Sequence, residues 1–363
     1  MAEFLDTHLV ASERRRGRGA RSNASGRFEP SVREDGDDGW GSLAGLPVFA
    51  THVQLETARS IITTNQSPDI SFDQSINPYR GCEHGCIYCY ARPSHAYMGL
   101  SPGLDFETQL FAKPNAAQLL ERELGKPGYQ PKVIALGTNT DPYQPIERTH
   151  RITRSVLEVL AKARHPVGIV TKSALILRDI DILAPMARDG LVKVALSVTT
   201  LDRVIARKME PRAATPQKRL EAIAELSAAG IPTGVMVAPV IPAINDSEIE
   251  AILAACRDAG ASEAGYVILR MPLEIRDLFR EWLATEFPDR AKRVISILQG
   301  MRGGKDYDAR WFERQKGSGP YAGLIAQRFK LALRRLGLNE RRHALRSDLF
   351  QRPVAEGGQL ALF

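Results

Sequence analysis

From about Ile70 onward the chain alternates short β-branched or apolar runs with longer stretches of helical periodicity. The runs are Ile70–Ile76, Val133–Leu136, Val167–Val170, Val192–Val198, Thr233–Val237 and Tyr266–Leu269. Between them the apolar spacing predicts helices over roughly 115–124, 151–164, 179–188, 216–229 and 247–259. Thr215-Pro216 reads as an N-cap followed by proline at the first helical position, and Ser247-x-x-Glu250 as a capping box. Gly190, Gly230 and Gly260 stand where helices should end. Strand alternating with helix at this rhythm predicts a parallel sheet with right-handed crossovers. Six units predict an α/β fold of the partial (β/α)6, TIM-like barrel type, spanning about 65–275, with ligands at the C-terminal strand ends.

The flanks read differently. Residues 1–45 carry an arginine block (Arg14, Arg15, Arg16, Arg18, Arg21), then an acidic block (Glu34, Asp35, Asp37, Asp38), with no apolar period, so disorder is expected. Residues 276–345 read as a basic helical extension with a Gly-rich break at Gly300–Gly319. In it Pro320 starts a helix whose Ile325, Phe329, Ala332 and Leu336 share one face. Residues 346–363 are expected to form a flexible tail.

Composition changes this picture little: 363 residues, 44% hydrophobic and 25% charged, are those of an ordinary globular chain. No apolar run is long enough for a membrane span, and the first residues lack a secretory signal's apolar core. Charge is more informative. Residues 290–352 hold sixteen Lys and Arg against five Asp and Glu, so the rest of a +7 chain is net negative. Such a stretch suits a polyanion, DNA above all, and equally a solvated surface.

Three of the four cysteines form Cys82-x-x-x-Cys86-x-x-Cys89, on a loop expected after the first barrel strand. Three thiolates on so short a loop suit an iron–sulfur cluster with one iron left for another ligand. A zinc site completed by His84 or His95 is the alternative, although no second Cys/His pair accompanies the triplet. The fourth thiol, Cys256, sits in an apolar helical stretch and reads as packing. Few cysteines, mostly clustered, fit a reducing cytoplasm rather than a disulfide framework.

The block Ser75-Ile-Asn-Pro-Tyr-Arg-Gly-Cys-Glu-His-Gly-Cys-Ile-Tyr-Cys-Tyr-Ala-Arg-Pro93 resembles the radical S-adenosylmethionine (SAM) superfamily, and within it the spore photoproduct lyase-like subgroup. The resemblance implies a [4Fe–4S] cluster on Cys82, Cys86 and Cys89. It also implies SAM on the open iron, cleavage to a 5′-deoxyadenosyl radical, hydrogen abstraction, and a flavodoxin or ferredoxin as electron donor. By position it implies Asn139, Thr140 and Asp141 for the SAM amino group, and Lys172 for its carboxylate. Ser197 and Thr199 are candidates for carboxylate or ribose, the backbone of Val267–Leu269 for the adenine edge, and Tyr88 for its face. Arg212, in Glu210-Pro-Arg212, is expected either to meet SAM or substrate or to form a structural ion pair. Each of these also has a local reading as a turn or strand hydroxyl.

The lyase uses an additional cysteine as hydrogen donor, and no cysteine follows Ala91 until Cys256. Tyr97, Tyr143 and Tyr307 are substitutes among which the sequence does not choose. The terminal Gln359-Leu-Ala-Leu-Phe363 resembles the Q-L-x-L-F peptide that docks on the bacterial sliding clamp through Gln359, Leu360, Leu362 and Phe363, or else folds back on the body. The expected function is radical hydrogen abstraction, with nucleic acid repair or modification as its setting. The rivals are a non-enzymatic nucleic-acid-binding protein with a structural metal loop, and a radical SAM enzyme acting on a small molecule or protein.

Overall fold

The computed structural model describes residues 9–32 and 46–353. Among the described residues ten strands are β1 His52–Leu55, β2 Ile62–Thr64, β3 Gln74–Ile76, β4 Tyr79–Arg80, β5 Gln109–Ala112, β6 Ile134–Leu136, β7 Val167–Thr171, β8 Val192–Ser197, β9 Thr233–Val240 and β10 Glu263–Ile268. The longer helices are α1 Ala116–Leu124, α2 Ile152–Lys162, α3 Ile180–Arg188, α4 Pro216–Ala228, α5 Ile249–Asp258, α6 Ile275–Glu286, α7 Pro288–Gly300 and α8 Gly319–Leu336.

The main sheet runs β10-β9-β8-β7-β6-β3-β2. Its six strands from β3 to β10 are parallel, and β2 closes one edge antiparallel to β3. This is the expected six-stranded α/β arrangement. Each crossover helix buries one stripe on the sheet, as Arg219, Ala222, Ile223 and Leu226 do in α4. Thr215 caps α4 by accepting from the Lys218 amide, and Gly190, Gly230 and Gly260 end their helices with φ of 70°, 75° and 103°.

Three expectations need correction. The capping box at Ser247 does not form. Asn245 and Asp246 close that turn onto the Ile241 and Ala243 amides, and Glu250 instead pairs with Arg328 of α8. The cysteine loop follows not β3 itself but β4, which pairs with β5 in a separate three-stranded sheet, order β1-β5-β4. The third concerns the amino-terminal region: residues 9–32 lie against the body, with Ala20 and Ser22 fully buried and Arg18 and Arg21 nearly so. Guanidinium bonds to backbone carbonyls order this segment, an ordering that apolar periodicity does not register.

The extension adds α6, α7 and α8. In α8, Ile325, Phe329 and Ala332 are buried, and Gly337 caps it at φ 67°. Cys256 is fully buried in α5. Among the described residues no helix is long and apolar enough to cross a membrane. The sliding-clamp-like residues Gln359, Leu360, Leu362 and Phe363 lie outside the described residues.

The last described segment is pinned by an aromatic trio. Phe350 packs edge-on against His165, 5.5 Å between ring centres, and Tyr129 donates or accepts at His165 Nε2 over 2.8 Å. Burial holds the His165 imidazole down at about 4, from an ordinary 6.5. It is therefore neutral when folded and protonated when unfolded between those values. Its contribution is complete above pH 6.5 and is lost as pH falls toward 4. His165→Gln is expected to flatten the fall in melting temperature between pH 7 and pH 5, read by calorimetry, and an unchanged slope would refute this.

Candidate active site

The strand ends carry the site. Gly81 and Gly85 precede Cys82 and Cys86 with φ of 72° and 68°, which lets the loop turn back on itself. Cys82 and Cys86 are buried and Cys89 is half-buried. Burial pushes the Cys86 thiol up to about 12, with Lys172 opposing and Glu210 adding to the rise. Cys82 and Cys89 are raised by burial too. Three neighbouring thiols that resist ionisation call for strong positive charge before they become thiolate ligands.

Among the described residues no three His, Cys, Asp or Glu side chains converge on the point a lone ion would occupy. The ligands of a cubane attach to separate corners and need no such convergence. Both candidate zinc histidines are engaged elsewhere. His84 Nδ1 stands 3.4 Å from Asp141 Oδ2. His95 Nε2 bonds the Gln109 carbonyl at 2.9 Å, and its ring packs on Phe106. The residues present fit an iron–sulfur cluster.

The loop is clamped by the segment after β8. Ile87 N donates to the Met209 carbonyl at 3.1 Å, and Arg212 N to the His84 carbonyl at 3.2 Å. Next to Met209, Glu210 is buried and binds three groups: the Tyr88 hydroxyl, the Thr199 hydroxyl at 2.7 Å and the Arg219 guanidinium. Burial alone would raise the Glu210 carboxyl, but Arg219 and then Lys172 hold it below its ordinary value. Arg219 also donates to the Ser197 carbonyl at 2.8 Å. Sequence reading passed over Arg219, yet the signal existed: a charged residue on the core-facing stripe of α4.

The predicted residues divide. Lys172 Nζ donates to Ser197 Oγ at 3.0 Å and lies 5.6 Å from the centre of the Tyr88 ring. Lys172, Ser197 and Tyr88 are thus brought together beside Cys86. Thr140 spends its hydroxyl on the Gly81 carbonyl, 2.7 Å away. Asp141 accepts from Tyr143 N, Thr171 Oγ1 and Lys172 N, at 2.9, 2.7 and 2.8 Å. Burial works against its charge, but His84 and these donors hold it at about 2. Thr140 and Asp141 therefore brace the loop, while the Asn139 side chain makes no hydrogen bond to another described residue.

Arg212 pairs with Glu83 and donates to the Gly17 carbonyl, which is the structural reading. Leu269 has its amide on the Val240 carbonyl and its carbonyl on Arg302 Nη2. The expectation that Leu269 presents free backbone to adenine is corrected accordingly. Val267 sits at a bulge between Tyr266 and Ile268, out of register with β9.

Beyond the end of β10 lies a cavity of about 530 Å³, lined by Arg27, Met271, Leu273, Lys305 and Tyr307 among others. Arg270 Nη2 donates to Tyr307 Oη at 3.3 Å, and its guanidinium lies 5.2 Å over the ring of Tyr90. A continuous line of groups therefore runs from this cavity to the residue after Cys89. Of the three candidate tyrosines, Tyr143 is fully buried, Tyr97 is exposed and Tyr307 lines the cavity.

The model of the radical SAM superfamily matches residues 76–256. The chain belongs to that superfamily. A radical SAM enzyme of this kind uses a [4Fe–4S] cluster and SAM, and requires an electron donor. It is 38% identical over 232 residues to an uncharacterized protein of Mycobacterium tuberculosis (strain H37Rv), covering 63% of this chain and 68% of that one. A Pseudomonas phage M6 protein named radical SAM Nalpha-GlyT isomerase is 27% identical over 177 residues, covering 48% and 35%. Among solved structures, spore photoproduct lyase complexed with dinucleoside spore photoproduct superposes with a TM-score of 0.56 at 14% identity, covering 79% and 80%. That likeness is one of fold.

The Glu210–Arg219 pair is buried on both sides. Removing one partner leaves the other charge uncompensated, at about 3–5 kcal/mol. Arg219→Met is expected to lower urea-unfolding stability by about that amount and to reduce iron bound after anaerobic reconstitution. Wild-type values of both would show that the pair does not hold the loop.

Proposed function

We propose that this radical SAM enzyme abstracts hydrogen from a nucleic acid base, with Cys82, Cys86 and Cys89 as the cluster ligands. When bound, the cluster and SAM would together supply one-electron chemistry at the sulfonium, the source of a hydrogen-abstracting radical. Lys172, with Ser197 behind it, offers a cation for the SAM carboxylate, and Asn139 offers a free amide for its amino group. Val267, released from the ladder by its bulge, is the backbone available to the adenine edge, and Tyr88 the ring beside it. Glu210 fixes Tyr88 and Thr199 from behind. A flavodoxin or ferredoxin suits the electron donor.

The observation that carries the substrate reading is the surface around the cavity after β10. Arg27 stacks over both Phe28 and Tyr97, at 5.2 and 5.7 Å, and those rings stand 5.1 Å apart. All three are exposed, as is Lys305 on the cavity wall, while Arg27 also pairs with Glu274 and the same wall carries Asp277 and Asp306. Aromatic faces interleaved with guanidinium and ammonium groups bind stacked bases and their phosphates. The name of the spore photoproduct lyase complex, a protein of the same fold bound to a dinucleoside, supports the same class. The exposed Lys292, Arg293, Lys330, Arg334 and Arg335 of α7 and α8 add positive surface, whereas Arg302, Arg314 and Arg328 of the basic stretch are committed to internal partners.

Two measurements test this. Lys172→Ala is expected to weaken SAM binding about tenfold or more, by equilibrium dialysis against the reconstituted protein normalised to the iron each variant holds. Unaltered affinity would remove Lys172 from the site. A fluorescent single-stranded oligonucleotide is expected to bind with an affinity that falls as salt rises, and Arg27→Ala to weaken it. No binding at low salt would discard nucleic acid as substrate while leaving SAM cleavage to be seen, as for an enzyme acting on a small molecule or protein.

A further inference from the structure

We infer that residues 14–24 form a strap that holds the cysteine loop in place, with Arg18, Gly19 and Ala20 as positioning residues for the cluster. The inference does not depend on the substrate. It rests on one buried carboxylate, Glu107, which is fully enclosed. The Gly19 and Ala20 amides donate to its two oxygens at 2.9 and 2.8 Å. Arg92 donates to the same group at 2.5 Å and, through Nε, to the Cys86 carbonyl at 2.9 Å. Two strap amides and the backbone of a cluster ligand thus meet across a single buried ion pair.

The contact is close as well as polar. A Cβ on Gly19 would stand 1.8 Å from the Gly85 carbonyl oxygen, so strap and loop touch backbone to backbone. Arg18 donates to the Glu107 carbonyl at 2.9 Å, the Phe49 carbonyl at 3.0 Å and the Thr51 hydroxyl at 2.8 Å. That hydroxyl donates to Glu83, next to Cys82, at 2.5 Å. Farther along, Arg21 pairs with Glu286, and the Ser22 hydroxyl bonds Glu281 at 2.6 Å. If the strap lifted, Glu107 would lose two donors while still buried, and the hold of Arg92 on Cys86 would be altered with it.

Gly19→Ala in the full-length chain tests this without touching a cysteine or a SAM residue. Gly128→Ala is the control, because a Cβ there meets nothing within 4 Å. Three quantities are read: trypsin cleavage after Arg18, iron and sulfide per chain after anaerobic reconstitution, and the rate at which the visible cluster absorbance bleaches in air. Gly19→Ala is expected to be cleaved sooner and to bleach about tenfold faster, with Gly128→Ala unchanged. Arg21→Ala frees the far anchor only, and is expected to move the same readouts in the same direction by less. It decides the matter by itself if Gly19→Ala fails to fold. Faster cleavage with wild-type iron content and bleaching would overturn the inference, as would wild-type resistance to trypsin in Gly19→Ala.

Discussion

A carboxylate taken out of water needs a full set of donors, and at the centre of this protein one such group, Glu210, gathers its donors from three parts of the chain. Tyr88 comes from the cysteine loop, Thr199 from just past β8 and Arg219 from α4. Its ionised state survives burial because a guanidinium and an ammonium stand beside it. Remove that balance, and the aromatic residue between Cys86 and Cys89 is no longer fixed, nor is the strand end that carries Ser197. Glu107 repeats the scheme on the other side of the loop with Arg92 and two strap amides. The cysteine loop is therefore set between two buried ion pairs. Its own backbone, with two glycines in the left-handed region, would not hold one shape unaided.

This arrangement explains why the parallel sheet is the right platform. Strands β6, β7 and β8 end on linked polar groups that reach the loop: Thr140 bonds the Gly81 carbonyl and Asp141 pairs with His84, while Thr171 bonds Asp141 and Ser197 holds Lys172 beside Tyr88. Gly137 makes the approach possible, since a Cβ there would stand 2.0 Å from the Val170 carbonyl oxygen. Some of these groups brace the loop, whereas Lys172 keeps ammonium donors beyond its bond to Ser197. The difference lies in how many protein partners each already has.

The sheet rhythm, the helix caps at Thr215 and the glycine stops were legible because each depends on local spacing or backbone geometry. The cysteine triplet was legible for the same reason. Thr140 and Asp141 fall just past β6 with their polar atoms spent on protein partners, and Arg212 takes the ion-pair alternative; neither outcome was legible, because hydrogen-bond saturation is a three-dimensional property. The bond from Tyr88 to Glu210 was hidden by distance along the chain, although the charge on the buried stripe of α4 was visible. The strap was hidden by composition: an arginine-rich, glycine-rich segment reads as solvated, yet here its guanidinium groups find carbonyls and carboxylates instead of water. The capping box at Ser247 failed because Glu250 had a better partner in α8.

The bond between Arg212 and Gly17 joins residues 195 positions apart, and that between Tyr88 and Glu210 spans 122. Contacts so remote in sequence form late, since the intervening chain must first be closed into a loop. A ribosome that has delivered all three cysteines has not yet delivered Glu210 or Arg219. The loop therefore reaches its clamped shape only once the second half of the sheet has been made: the thiols come first and their support last.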